Sequence, residues 1–165
     1  MPQKKPDQKK SNPTGSTSLF DEGDDDLFEA EHRIEMAAET GDTSLDLHGL
    51  GLTSLPTSMG QLTQLQSLNA SGNKLTELPE SLCQLTQLQI LQLDNNRLTA
   101  LPEWLAQLTQ LREVIIWTNR LTSLPESMSR LTQLEIIDAF DNNLATLPES
   151  MSQLTQLRVL DVGMN

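Results

Sequence analysis

The chain has 165 residues, a formal net charge of −12 and a single cysteine. So large an excess of negative charge opposes binding to a nucleic-acid backbone or an anionic membrane surface, and we expect neither as a partner. One cysteine excludes an internal disulfide framework and is typical of a reducing compartment, which predicts a cytoplasmic protein. The sequence shows no signal-peptide hydrophobic region and no apolar run long enough to span a bilayer.

Residues 1–26 form a polar and then acidic segment. Residues 1–18 are rich in Lys, Pro, Ser and Gln, a composition that cannot bury a core and predicts disorder. Their four lysines could form a docking patch, but a solvated tail is the simpler interpretation. The acidic run at residues 21–26 lacks the ligand spacing of a calcium loop. We therefore interpret residues 1–26 as a disordered tail whose acidic end leads into a helix.

A helix is predicted over residues 27–41. Asp26 and Glu29 fit an N-cap followed by an acid three residues later, and Gly41 is placed to end the helix. We expect its apolar stripe to cover the exposed end of the repeat region that follows. The residues of this stripe are Leu27, Ala30, Ile34 and either Ala37 or Ala38.

Residues 42–165 repeat one sequence with a period of 23 residues. The clearest copy, residues 88–110, reads LQILQLDNNRLTALPEWLAQLTQ. Further full copies begin at residues 65, 111 and 134, an irregular full copy begins at residue 42, and a truncated sixth begins at residue 157. A fixed period of this length is typical of a solenoid, in which each unit is stable only when stacked on its neighbours.

Each repeat contains the signals of a short strand and a short helical turn. Leu91 and Leu93 lie two residues apart, so both point to one face of a strand, which Asn96 then ends. Pro102 and Glu103 suit the start of a helical turn, because proline needs no donor there and the acid faces the positive helix end.

The pattern L-x-x-L-x-L-x-x-N-x-L resembles the leucine-rich repeat over residues 42–165, and its style is similar to the 23-residue cytosolic class of Ras-group, Roco-associated and bacterial repeats. The resemblance implies an α/β solenoid, a curved horseshoe with a parallel sheet on its concave face and short helical turns on its convex face. It also implies that asparagine side chains fix the turns in a ladder formed by Asn73, Asn96, Asn119, Asn142 and Asn165.

By the same resemblance, the protein is a non-enzymatic module that binds a partner protein in intracellular signalling or scaffolding. A small GTPase or another signalling protein is the expected partner, and no cofactor or metal is expected. The alternative is a bacterial effector delivered into a host cell, or a fragment of one such as a repeat-containing ubiquitin ligase.

The positions between the core leucines are expected to face the concave side. They vary between repeats while the leucines do not, which is typical of a binding surface; drift at unconstrained positions is the alternative. Exposed apolar and aromatic side chains grouped on one face indicate a contact patch. The candidate partner-binding residues, an apolar group flanked by acids, are Trp117, Phe140, Ile115, Asp94, Glu113, Asp138, Ile90 and Ile136.

Two further features lie outside this patch. Lys74, Arg97 and Arg120 form a basic row after the asparagine positions, which we interpret as charge balance that aids solubility. The truncated repeat would leave an open sheet edge, which predicts end-to-end self-association through residues 157–165 unless the chain is a fragment of a longer array.

Overall fold

The computed structural model describes the backbone of residues 22–165 and the side chains of residues 26–165. One helix, α1 (Glu22–Thr40), precedes a six-stranded parallel sheet whose strands follow one another in chain order. The predicted disorder of residues 1–18 lies outside the described residues. The strands are β1 (Ser44–Asp46), β2 (Ser67–Asn69), β3 (Ile90–Gln92), β4 (Glu113–Ile115), β5 (Ile136–Asp138) and β6 (Val159–Asp161).

The strands pair in a constant register of one repeat. Leu68 of β2 pairs with Leu91 of β3, and Leu91 pairs with Val114 of β4. In β2 to β5 the central residue is buried while the two residues beside it are partly exposed. The sheet therefore has one face on the core and one face open to solvent, as the leucine spacing predicts.

A short 3₁₀ helix returns the chain from each strand to the next. Each of these helices follows a proline and is followed by a buried leucine. Leu105 and Leu108, three residues apart, are both buried in the core. This confirms the predicted convex turns and defines them as 3₁₀ helices, in which residues three apart share a face. Their bounds are Thr57–Gln61, Glu80–Gln84, Glu103–Gln107, Glu126–Arg130 and Glu149–Gln153. No helix within residues 22–165 is long and apolar enough to cross a membrane.

Buried asparagines join each repeat to the preceding one, and they confirm the predicted ladder. Asn96 Oδ1 accepts the backbone N–H of Leu75 at 3.0 Å, and its Nδ2 donates to the carbonyls of Ala70 and Leu93 at 3.0 and 2.9 Å. Asn73, Asn119 and Asn142 are buried too and bond in the same way. These side chains satisfy backbone groups that the sharp turn leaves without secondary-structure partners.

Within the described residues α1 already runs from Glu22, at least five residues before the predicted start at Leu27. Asp26 therefore lies inside the helix and is not its N-cap, and the predicted boundary between residues 26 and 27 is wrong. Acidic residues are favoured in the first turns of a helix by the helix dipole, so an acidic sequence before Leu27 does not prevent helix formation. At the other end Gly41 has φ +72° and its N–H donates to Ala37 O at 3.0 Å, which confirms the predicted termination.

The buried face of α1 covers the first repeat. Ala30, Ile34 and Ala37 are buried, as predicted. Leu27 is 40% exposed, so its predicted place in the buried stripe is wrong. Arg33 Nη1 donates to Asp46 O in β1 at 2.8 Å, which fixes the helix to the first strand. The helix therefore shields that end of the core from water.

At the opposite end, β6 is exposed at all three of its residues. Val159 is 47% exposed and Leu160 is 39% exposed, and Met164 beyond the strand is 72% exposed. The predicted self-association through residues 157–165 stays a prediction.

Candidate functional site on the concave face

The candidate residues of β3, β4 and β5 form a continuous surface on the solvent face of the sheet. Ile90 pairs with Glu113, which pairs with Ile136, and all three side chains are partly exposed. In the next column Ile115 pairs with Asp138, and both are again partly exposed. Three isoleucines therefore present apolar surface where the core does not require it.

Two aromatic residues extend this surface beyond the ends of the strands. Backbone bonds continue the ladder there: Asn95 N–H donates to Trp117 O at 3.0 Å, and Thr118 N–H donates to Phe140 O at 2.9 Å. Trp117 is partly exposed and Phe140 is 39% exposed. The Phe140 ring lies over Gly163, where an added Cβ would approach ring atom Cδ2 to 3.0 Å. The missing side chain at Gly163 thus gives the phenyl ring its position.

Asp94 is the predicted site residue that the structure does not place on the open surface. It is only 9% exposed, and its Oδ2 accepts a hydrogen bond from Asn95 Nδ2 at 3.0 Å. Its neighbours in the ladder are Ser71 and Trp117, about 4.8 Å away in backbone spacing. Asp94 is therefore almost buried and does not contribute to the exposed acidic border of the candidate surface.

Three other acids remain around the aromatic pair. Glu113 is partly exposed between two isoleucines. Asp138 Oδ1 accepts the backbone N–H of Phe140 at 3.2 Å, and Asp141 Oδ2 accepts the hydroxyl of Thr118 at 2.8 Å. Asp138 therefore supports the backbone at Phe140, and Asp141 bonds the side chain of Thr118, the residue after Trp117.

The backbone of Thr118, the residue directly after Trp117, is strained. Thr118 has φ +50°, in a column of left-handed residues that otherwise contains Gly49, Gly72, Asn95, Asp141 and Met164. A β-branched residue is disfavoured in this region because its Cβ crowds the backbone. Sequence reasoning missed Thr118, although its place in a column with glycines and an asparagine signals the left-handed turn.

The first two repeats of the concave face are polar and bonded internally. Ser71 Oγ lies 2.6 Å from Asn69 Oδ1 and 2.9 Å from His48 Nδ1. Because Asn69 Oδ1 is an acceptor, the serine donates its one proton there and accepts from His48 Nδ1–H. Ser71 is only 6% exposed, so we see a structural bridge here and not a nucleophile. The apolar candidate surface thus begins at β3 and does not extend onto β1 and β2.

Comparison with known families agrees with this architecture. A family model described as "Leucine-rich repeat region" matches residues 44–120, and one described as "Leucine rich repeat" matches residues 109–165. Together they cover the whole sheet and its connections, and the chain belongs to the leucine-rich repeat proteins. No curated protein sequence matches the chain.

Several solved structures are similar. A leucine-rich repeat protein of Leptospira interrogans is 32% identical with a TM-score of 0.68, and the match covers 79% of this chain and 40% of that protein. YopM from Yersinia enterocolitica WA-314 is 34% identical with a TM-score of 0.68, and the match covers 84% of this chain and 28% of YopM. The repeat ectodomain of the receptor kinase SOBIR1 from Arabidopsis thaliana is 26% identical with a TM-score of 0.64, and the match covers 73% of this chain and 68% of that ectodomain. The chain thus spans less than half the length of the first two.

Proposed function

We propose that this protein binds a partner protein through the concave surface centred on Trp117 and Phe140. The observation that carries the proposal is the group of partly exposed isoleucines and aromatics on a sheet face that the core does not use. Aromatic residues are favoured as interface anchors because they bury much area with little loss of side-chain entropy. The leucine-rich repeat family, a protein-interaction fold, supports the same conclusion.

The chemistry of the surface favours a partner with an apolar side chain and basic surroundings. The isoleucines and aromatics supply the apolar centre, while Glu113, Asp138 and Asp141 supply negative charge at its border. Charge complementarity of this kind steers association and excludes partners of like charge. A signalling or scaffolding role inside the cell, with a small GTPase among the possible partners, is the form of this function that the repeat style favours.

The proposal is tested by photo-crosslinking from the surface itself. A photo-reactive amino acid replaces Trp117 in one variant and Gln107, which is exposed on a convex 3₁₀ helix, in the control. We expect a covalent adduct from position 117 alone, identified by mass spectrometry, and direct binding of that protein once purified. Equal adducts from both positions would contradict a concave site.

An effector that acts on a host protein is the second candidate function. Similarity to repeat proteins of two bacteria, Leptospira interrogans and Yersinia enterocolitica, supports it. A reporter enzyme fused to the chain and followed from bacteria into host cells distinguishes the two candidates: transfer of the reporter is expected for an effector and not for a resident signalling protein.

A further inference from the structure

A row of positive side chains lies along one edge of the solenoid. The backbone N–H of Lys74 donates to Leu52 O at 2.8 Å, and Arg97 and Arg120 make the same bond to the corresponding carbonyl of their preceding repeats at 2.9 Å. All three side chains are exposed. Adjacent strands of a ladder are about 4.8 Å apart, so the three cations are stacked closely on consecutive repeats.

None of these cations has an ion pair among the side chains of residues 26–165, although the protein pairs other arginines. Arg112 and Arg158 share Glu135 at 2.8 and 3.4 Å, and Arg33 pairs with Glu29 at 2.7 Å. The whole chain contains 23 acids against 11 lysines and arginines, so acids are plentiful. The contacts therefore do not support the interpretation, drawn from the sequence, that this row only balances nearby acids.

The surroundings of the row suit a carboxylate ligand. A buried leucine follows each cation, and the next residue is an exposed threonine, so each repeat presents a cation and a hydroxyl on the same edge. Guanidinium groups bind carboxylates through paired N–H donors, and a hydroxyl adds a further donor. The two residues on either side of Arg97, and likewise of Arg120, include no acid. Asp26 lies near the Lys74 end of the row, since Asp26 and Lys74 both approach Gly51.

We propose that Lys74, Arg97 and Arg120 form a second binding edge that takes an acidic, carboxylate-rich segment of a partner protein. The row runs along the solenoid axis, so the segment binds in an extended form across several repeats. A short acidic segment interacts with the row alone, because exposed charges beyond about 8 Å are screened at physiological ionic strength. A nucleic acid is disfavoured, since its long polyanionic backbone would also meet the excess of acids elsewhere on the chain.

The test is an NMR titration of the ¹⁵N-labelled full chain with a hexaglutamate peptide at physiological ionic strength. We expect the largest chemical-shift changes at the amides and side-chain nitrogens of the row and its threonines, and none with hexaglutamine. Replacing Lys74, Arg97 and Arg120 together by glutamine should weaken peptide binding by about tenfold or more, because three exposed ion pairs with the peptide are lost together.

A charge-matched control replaces Lys4, Lys5 and Lys9 by glutamine, which removes the same number of positive charges from outside the described residues. Arg130→Gln, at an exposed convex arginine, is the second control. Both should retain peptide binding, as should a variant that lacks the aromatic pair of the concave surface. Absent binding, equal loss in either control, or tighter binding of single-stranded DNA than of the peptide would overturn the proposal.

Discussion

Replacing Asn96 with alanine should destabilise the protein by about 3–5 kcal/mol. The side chain is 8% exposed and makes three hydrogen bonds of 3.0 Å or less, two of them to the preceding repeat. Each buried bond contributes about 0.5–1.5 kcal/mol, and the Leu75 N–H left without a partner adds about 1–3 kcal/mol. Alanine replaces none of these bonds.

Asn165 provides a matched control, because it makes the same bonds in an exposed setting. Its Oδ1 accepts from Leu144 N–H at 2.9 Å, and its Nδ2 donates to Ala139 and Val162 carbonyls at 3.0 and 2.9 Å. Water can replace these bonds, so Asn165→Ala should cost less than about 1 kcal/mol. Urea unfolding followed by far-UV circular dichroism measures the free energy of unfolding of both variants. Equal losses in the two variants would refute the argument that burial gives the asparagine ladder its strength.

Two further substitutions test the ends and turns of the solenoid by the same unfolding measurement. Ile34→Asp should cost several kcal/mol, roughly 3 or more, because it buries an unpaired charge under α1, while His32→Asp on the exposed side of that helix should change stability little. Thr118→Asn should raise stability by about 0.5–1 kcal/mol despite the lost bond to Asp141, because asparagine tolerates the left-handed backbone. Thr122→Asn, an exposed neighbour in an ordinary conformation, should show no gain; a loss at position 118 would mean that its backbone is not strained.

Much of the fold follows directly from the repeat period. The 23-residue spacing gives the strand register, and the alternation around Leu91 gives the buried and open faces. The asparagine that recurs from the second repeat onward predicts the ladder through the resemblance to leucine-rich repeats, in which this side chain fixes the turn. Each of these inferences depends on contacts that recur identically in every repeat.

Features that occur once are harder to predict. The sequence predicts too late a start for α1, because an acidic run such as that before Leu27 is typical of a solvated tail as well as of a helix. The column of Asp94 predicts an open position because it faces the concave side, yet the side chain is only 9% exposed and bonds to Asn95. The column pattern gives a side chain's direction, whereas its neighbours decide how much solvent reaches it.

The most direct test of the concave binding surface is the double variant Trp117→Ala, Phe140→Ala measured for stability and for binding to the crosslinked partner. Because both rings lie outside the buried core, we expect a stability loss within about 1 kcal/mol and a binding loss of about 2 kcal/mol or more. Leu91→Ala, which opens a cavity at a side chain that is 1% exposed, should instead cost about 2–5 kcal/mol of stability and leave the affinity of the folded protein unchanged. Unfolding of the aromatic double variant, or full partner affinity without the two rings, would contradict the account.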